Sequence, residues 1–210
     1  MGSLKVGRMV LGMVATNCYF VYDTDSMEGF VIDPAKNGLY EKLNANGIKV
    51  RAILLTHGHF DHIMGVHEMT REAGAKVYAL EDEDKLCRDA ALNASEQIGR
   101  PYTVEPDILL KDGDEIDICG IKIKVIATPG HTAGSCCYYI EDEKWLFSGD
   151  TLFEGSIGRS DLPTGDERKI MESVKMLVSG FDDDVKVYPG HGESTTIADE
   201  KAYNPYARIS

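Results

Sequence analysis

Apolar and polar positions change period repeatedly along the chain. Alternating runs at Lys5 to Met13, Cys18 to Tyr22 and Gly29 to Ile32 predict three strands, separated by Asp, Ser and Gly turn signals. Leu39, Tyr40, Leu43 and Ala45 recur with helical spacing over Asn37 to Asn46, and Gly47 supplies a stop. The continuous apolar run Val50 to Leu55 predicts a buried strand that ends at Thr56. A helix at Met64 to Ala73 and a strand at Lys76 to Ala79 follow, then an acidic, partly helical stretch from Glu81 to Gly99. The second half predicts strands at Glu115 to Ile118, Ile121 to Ala127, Ser135 to Ile140 and Lys144 to Ser148, a helix over Asp166 to Val178, and a last strand at Val185 to Tyr188. Strands followed by helices, twice over, fit an α/β chain in which two sheets pack face to face with helices outside each, a four-layer αββα sandwich. With no linker or repeat to divide it, residues 1–210 are read as a single domain.

The chemistry concentrates where the buried strand ends. Thr56-His57-Gly58-His59-Phe60-Asp61-His62 places three histidines and a carboxylate in seven residues. Imidazole and carboxylate are ligands for zinc and similar ions, and a loop leaving a rigid strand can aim alternate side chains inward. His131 in Thr128-Pro129-Gly130-His131-Thr132, Asp150 in Ser148-Gly149-Asp150-Thr151 and His191 in Pro189-Gly190-His191-Gly192 each follow a predicted strand and a Gly-containing turn. Strand ends gathered at one sheet edge commonly form a ligand cleft, so one metal site would use five of the six histidines. The sixth, His67, begins His67-Glu68, but position 71 is Arg where an HExxH zinc motif needs His, and His67 is assigned to an exposed helix face.

The THxHxDH run with the later His, Asp and His resembles the metallo-β-lactamase superfamily over nearly the whole chain, in particular its hydroxyacylglutathione hydrolase (glyoxalase II-like) branch. The resemblance implies the αββα fold. It assigns His57, His59 and His131 to one metal, Asp61, His62 and His191 to a second, and Asp150 to a bridge between them. Two Zn2+ per chain are expected, with iron or manganese as alternatives. True β-lactamases of the superfamily lack the equivalent of Asp150, flavodiiron proteins usually carry an acid at the place of His59, and the tRNA-processing nucleases fit an acidic, short chain poorly. Classical glyoxalase II enzymes continue into a helical domain that supplies part of the glutathione site, whereas this chain ends at Ser210. Gly158-Arg159-Ser160-Asp161 resembles the GRxD loop of short glyoxalase II-like proteins and persulfide dioxygenases. Arg159 matches a basic glutathione-binding residue, and Asp161 replaces a neighbouring Tyr.

The expected reaction is hydrolysis of a small-molecule thioester or ester, S-lactoylglutathione-like, by a hydroxide formed near neutral pH because metal lowers the pKa of water to about 7. Asp61 would orient that hydroxide or carry its proton, and the planar fork of Arg159 would hold a substrate carboxylate. The alternative is a mononuclear Fe(II) persulfide dioxygenase on His57, His131 and Asp150; a non-catalytic metal-binding protein ranks last.

Composition narrows the partners. With 22 Lys plus Arg against 35 Asp plus Glu, the net charge of -13 repels phosphate backbones and anionic membranes, and no basic patch offsets it, so neither nucleic acid nor membrane is an expected partner. Met9 to Ala15 is too short to span a bilayer. Five cysteines without CxxC spacing point to a reducing, cytoplasmic setting. A monomer or homodimer is expected. Cys136 and Cys137 are read as one buried and one opposite-facing strand residue, Tyr138, Tyr139 and Trp145 as packing groups, and Asp33-Pro34 as a structural turn, with bracing of the site as the weaker alternative.

Overall fold

The computed structural model describes residues 2–207; Met1 and 208–210, the ends of the domain range read from the sequence, lie outside the described residues. The first half of the chain builds a six-stranded sheet from β1 (Leu4–Leu11), β2 (Thr16–Asp23), β3 (Glu28–Ile32), β4 (Lys49–Leu54), β5 (Lys76–Leu80) and β6 (Ile108–Leu110), in that spatial order. β1 to β3 pair antiparallel, and β3 to β6 run parallel through crossovers that carry helices α1 (Leu39–Ala45), α2 (Phe60–Ile63), α3 (Val66–Ala73) and α4 (Asp84–Cys87). The second sheet contains β7 (Glu115–Ile118), β8 (Ile121–Ala127), β9 (Cys136–Ile140) and β10 (Trp145–Gly149). A small hairpin of β11 (Leu152–Phe153) and β12 (Ser156–Ile157) intervenes before α5 (Glu167–Gly180), β13 (Lys186–Pro189), β14 (Thr195–Thr196) and α6 (Ile197–Tyr203). The order in the second sheet is β14-β13-β10-β9-β8-β7.

Three apolar layers separate the four structural ones, as the αββα reading requires. Between the sheets lie Tyr19, Val21, Phe30, Leu54, Ile123, Val125, Tyr138, Phe147 and Tyr188. Leu39, Leu43, Ile53, Val66, Met69 and Val77 fill the space between the first sheet and its helices, and Leu146, Ile170, Val174, Leu177 and Val187 the space under α5. Burial on both faces explains why β4 reads as a continuous apolar run. Ile170, Ser173, Val174, Leu177 and Val178 form one buried stripe of α5, and Asp166 caps that helix by accepting from the Lys169 N–H at 3.0 Å. The same two-sided burial corrects the reading of the cysteine pair: Cys136 and Cys137 point to opposite faces as expected, but both are buried, one between the sheets and one under α5.

Other differences come from short elements. β6, β11, β12, β14 and α2 are too brief to show a period, and the polar sequence of α6 hid a helix capped by Thr196, which accepts from the Asp199 N–H at 3.1 Å.

Strand direction fixes where the loops emerge. β8 and β10 both pair antiparallel with β9, so they run the same way, and β13 runs parallel to β10. The C-terminal ends of β8, β10 and β13 therefore share one edge of the second sheet. Backbone bonds tie this edge to the first sheet: the N–H of Asn17 donates to Gly190 O at 2.7 Å, and that of Cys136 to Thr56 O at 2.9 Å. Tyr19 Oη and Tyr138 Oη span the same seam, donating to Pro189 O at 2.9 Å and Leu55 O at 2.8 Å.

Phe147 stacks on Tyr188 at 5.1 Å between ring centroids and meets Tyr19 edge-on at 5.4 Å. Phe147→Ala is expected to lower the unfolding free energy by about 3–5 kcal/mol, measured by urea denaturation.

Candidate metal centre

All seven side chains singled out in the sequence meet at the seam between the sheets. His57 and His59 leave the end of β4, and Asp61 and His62 lie on the short helix α2 that follows. His131 lies in the loop after β8, Asp150 directly follows β10 and His191 follows β13. Their ligand atoms form three overlapping groups, each within 4.8 Å: His57 with His59 and His131, His57 with His62 and Asp150, and Asp61 with His62 and His191. The first and third are the two ligand sets that the sequence motif implies. Asp150 reaches both, with Oδ2 3.6 Å from His131 Nε2 and 3.4 Å from His191 Nε2, and Oδ1 3.4 Å from His62 Nε2.

These residues fit metal ions by their own chemistry. Nε2 of His57 and His62 and Oδ1 of Asp150 are buried without a hydrogen-bond partner, a costly arrangement for polar atoms unless a cation satisfies them, and His59 turns its Nδ1 to within 2.9 Å of His131 Nε2. Burial, and then the neighbouring imidazoles, hold His57 well below the usual histidine range; burial first and His131 next take His59 to about 3. Both are thus neutral, the form that ligates metal. Burial alone would push Asp61 and Asp150 up, but the adjacent His62 and the hydrogen bond to His191 outweigh it, so both carboxyls are held low and ionised. Burial likewise pulls on His62, where Asp61, Asp150 and Asp33 more than compensate and raise it. The acidic wall of the site favours positive charge.

A second layer of hydrogen bonds orients the ligands. Asp33, at the end of β3 in a left-handed backbone conformation (φ 51°), accepts from the Thr56 N–H at 2.8 Å and the Thr56 hydroxyl at 2.6 Å, and pairs with His62 Nδ1 at 2.9 Å. Its other ring nitrogen is thereby turned toward Asp61 and Asp150. Thr16 donates to Asp61 Oδ2 at 2.9 Å. His131 Nδ1 lies 2.7 Å from the Arg159 carbonyl, which leaves Nε2 for the centre. Gly190 has no room for a side chain, because a Cβ there would collide with Asp150 Oδ1 and the His62 ring.

Glu83 joins the two ligand loops that hold the three-histidine group. Buried behind the centre, it accepts from the Gly58 N–H at 2.8 Å, between His57 and His59, and from the Thr132 hydroxyl and Gly134 N–H at 2.9 Å each, beside His131. No sequence signal distinguished it from its acidic neighbours Glu81, Asp82 and Asp84. Asp33 carries a signal, its place after a strand and before Pro34, which predicts a structural turn with bracing of the site as the weaker alternative; its bonds to Thr56 and His62 bear out the bracing.

The centre opens into a cleft of about 390 Å3 lined by Val14, Phe60, Phe153, Arg159 and Leu162 in addition to ligand residues. The sequence places Arg159 toward substrate; the structure puts its guanidinium on the rim, bonded to both oxygens of Asp161 at 2.7 and 2.6 Å. His67 lies outside the centre, exposed on α3 and against the Tyr102 ring at 4.3 Å.

Burial pushes Glu83 up to about 7 against its three hydrogen bonds, which favour the ionised form. An unfolded Glu titrates near 4.3, so the native state binds the extra proton between roughly pH 4.5 and 7. The stabilisation from this group is complete below that window and lost as pH rises through about 7. Glu83→Gln is expected to flatten that part of the pH dependence of melting temperature. It should also cost about 1–3 kcal/mol, because its amide turns a donor toward one of the N–H groups; thermal melts from pH 4.5 to 8 measure both.

Comparison with known proteins agrees with this geometry. The family description Metallo-beta-lactamase superfamily matches residues 11–191. The probable metallo-hydrolase YqgX of Bacillus subtilis is 34% identical, the match covering 97% of each chain. Hydroxyacylglutathione hydrolase GloC of Haemophilus influenzae is 29% identical over 90% of this chain and 92% of its own. Among solved structures, BLEG-1 B3 metallo-beta-lactamase is 37% identical with a TM-score of 0.91, covering 97% of this chain and 99% of that one. TTHA1623 in a di-iron-bound form is 31% identical with a TM-score of 0.83, covering 95% and 99%. With its two packed sheets, outer helices and buried histidine–aspartate centre, the chain belongs to the metallo-beta-lactamase superfamily.

Proposed function

We propose that the chain is a dinuclear metallo-hydrolase acting on small thioesters or esters. The observation that carries this reading is the overlap of the three ligand groups, in which His57 and His62 each belong to two groups and Asp150 reaches both ends. Such a site suits two adjacent ions, His57, His59 and His131 holding one, Asp61, His62 and His191 the other, and Asp150 both. When bound, a pair of divalent ions supplies an activated water near neutral pH and polarises a carbonyl oxygen.

The chain's own residues set the direction of the reaction. Asp61 keeps its carboxylate ionised and is steadied by the Thr16 hydroxyl, so that it serves to orient the nucleophile by accepting a hydrogen bond from it. Val14, Phe60 and Phe153 give the cleft apolar walls against which a substrate chain excludes water. The similarity to GloC supports a thioester, and the similarity to BLEG-1 adds a β-lactam amide to the substrates worth testing. The similarity to TTHA1623 in its di-iron-bound form supports iron beside zinc as the resident metal. A mononuclear iron dioxygenase on His57, His131 and Asp150 would leave Asp61, His62 and His191 assembled without a role, which favours the hydrolytic reading.

Natively purified protein is expected to contain about two metal ions per chain, to hydrolyse S-lactoylglutathione or a simpler thioester, and to lose that activity on chelation. One iron per chain with persulfide-dependent oxygen uptake and no hydrolysis would replace this reading with the dioxygenase. His191→Ala is expected to lower the metal content to about one and kcat/KM by about a hundredfold or more, since metal polarisation of the reacting groups is worth several kcal/mol. Metal analysis and steady-state kinetics on one preparation check both.

A further inference from the structure

A second cleft of about 340 Å3 lies across Asp61 from the first. Four separate segments build it: Gly12 and Met13 from the β1–β2 turn, Ala35 to Asn37 after β3, Phe60, Asp61 and Met64 around α2, and Arg100 from the long loop before β6. Phe60 and Asp61 line both clefts, so a molecule whose reacting carbonyl sits at the metal centre has two directions in which to extend.

The two directions differ in charge. In the first, the Arg159 guanidinium is already neutralised through two hydrogen bonds to Asp161, and both groups lie exposed at the rim. In the second, Lys36 and Arg100 are both exposed, and neither side chain enters an ion pair or a hydrogen bond among the described residues. Asp61 is the one carboxylate lining that cleft, and its Oδ2 faces His62, His191 and Thr16. Met13, Phe60 and Met64 give the same cleft an apolar lining. In a chain of net charge -13, two unneutralised cations in an apolar-lined cleft beside the reacting centre counter a field that otherwise repels anions.

Resting on the hydrolase reading above, we infer that the cleft walled by Lys36 and Arg100 receives a carboxylate-bearing aliphatic arm of the substrate, so that the substrate class is an anionic thioester or ester. The aliphatic segment lies on Met13, Phe60 and Met64, and the carboxylate meets the two cations. Arg159 acts instead through its backbone carbonyl, on His131.

The test uses the metal-loaded full chain and two matched pairs of thioesters. One pair differs on the acyl side, adipoyl against adipamoyl N-acetylcysteamine; the other on the thiol side, S-butanoyl 3-mercaptopropionate against its amide. For at least one pair, kcat/KM should favour the carboxylate about fivefold or more, carried by KM, and Lys36→Ala with Arg100→Ala should bring that ratio to about one. Arg159→Ala should leave the ratio in place. Calorimetric binding of adipate against adipamic acid gives a readout without turnover, and the same loss of preference in the double variant is expected there. A preference retained in the double variant, abolished by Arg159→Ala, or absent from both pairs and from calorimetry overturns the inference. No turnover of any thioester, of the corresponding oxygen esters or of a β-lactam, together with a calorimetric preference that the double variant loses, overturns the hydrolase reading while the anion site stands.

Discussion

Five imidazoles and two carboxylates crowd into one end of the seam between two sheets, with ring nitrogens left unpartnered in a buried space. Polar groups in that position are costly unless something satisfies them, and here the assembled charges create a strong preference for cations. The rest of the molecule can be understood as the apparatus that holds such an arrangement together. Three dry apolar layers supply the rigidity, and the strand ends supply the aim.

Behind the ligands, which lie close enough to contact one another, as His59 Nδ1 does His131 Nε2 at 2.9 Å, a layer of polar groups fixes how they face the centre. Asp33 ties the end of β3 to Thr56 and His62, Thr16 from β2 steadies Asp61, and the Arg159 carbonyl fixes the ring of His131. Glu83 spans the loops on either side of the seam, tying the segment that carries His57 and His59 to the one that carries His131. Each of these contacts crosses between segments distant in the chain. A site dependent on them is stable only when the whole sandwich is formed, which couples metal binding to folding.

The centre itself is walled by acids, and cations line the clefts beside it. Arg159 is matched with Asp161, and most of the remaining surface cations that pair do so with nearby acids, such as Arg88 with Asp84 and Glu105 or Lys144 with Asp184. Lys36 and Arg100, unpaired like many other surface lysines, differ from them in lining a cleft that shares Phe60 and Asp61 with the centre. Selectivity in this fold then resides in loops that the sheets position, while the sheets fix the ligands.

The sequence by itself determined the candidate ligand set and most of the long elements. His57, His59, Asp61 and His62 follow an apolar strand in one short motif, and His131, Asp150 and His191 each follow a strand and a glycine turn, signals that need no partner to be read. The helices α1, α3 and α5 and the strands β7 and β8 were legible because their periods persist over several residues. Only the tertiary structure decided that Glu83 and Asp33 brace the site, that Cys136 and Cys137 are both buried, that Arg159 is spoken for by Asp161, and that Lys36 and Arg100 share a cleft. The reason is range. A periodic pattern or a dense motif is written in neighbouring residues, whereas the partner of a buried carboxylate or the isolation of a surface cation depends on segments that meet only after two sheets have packed.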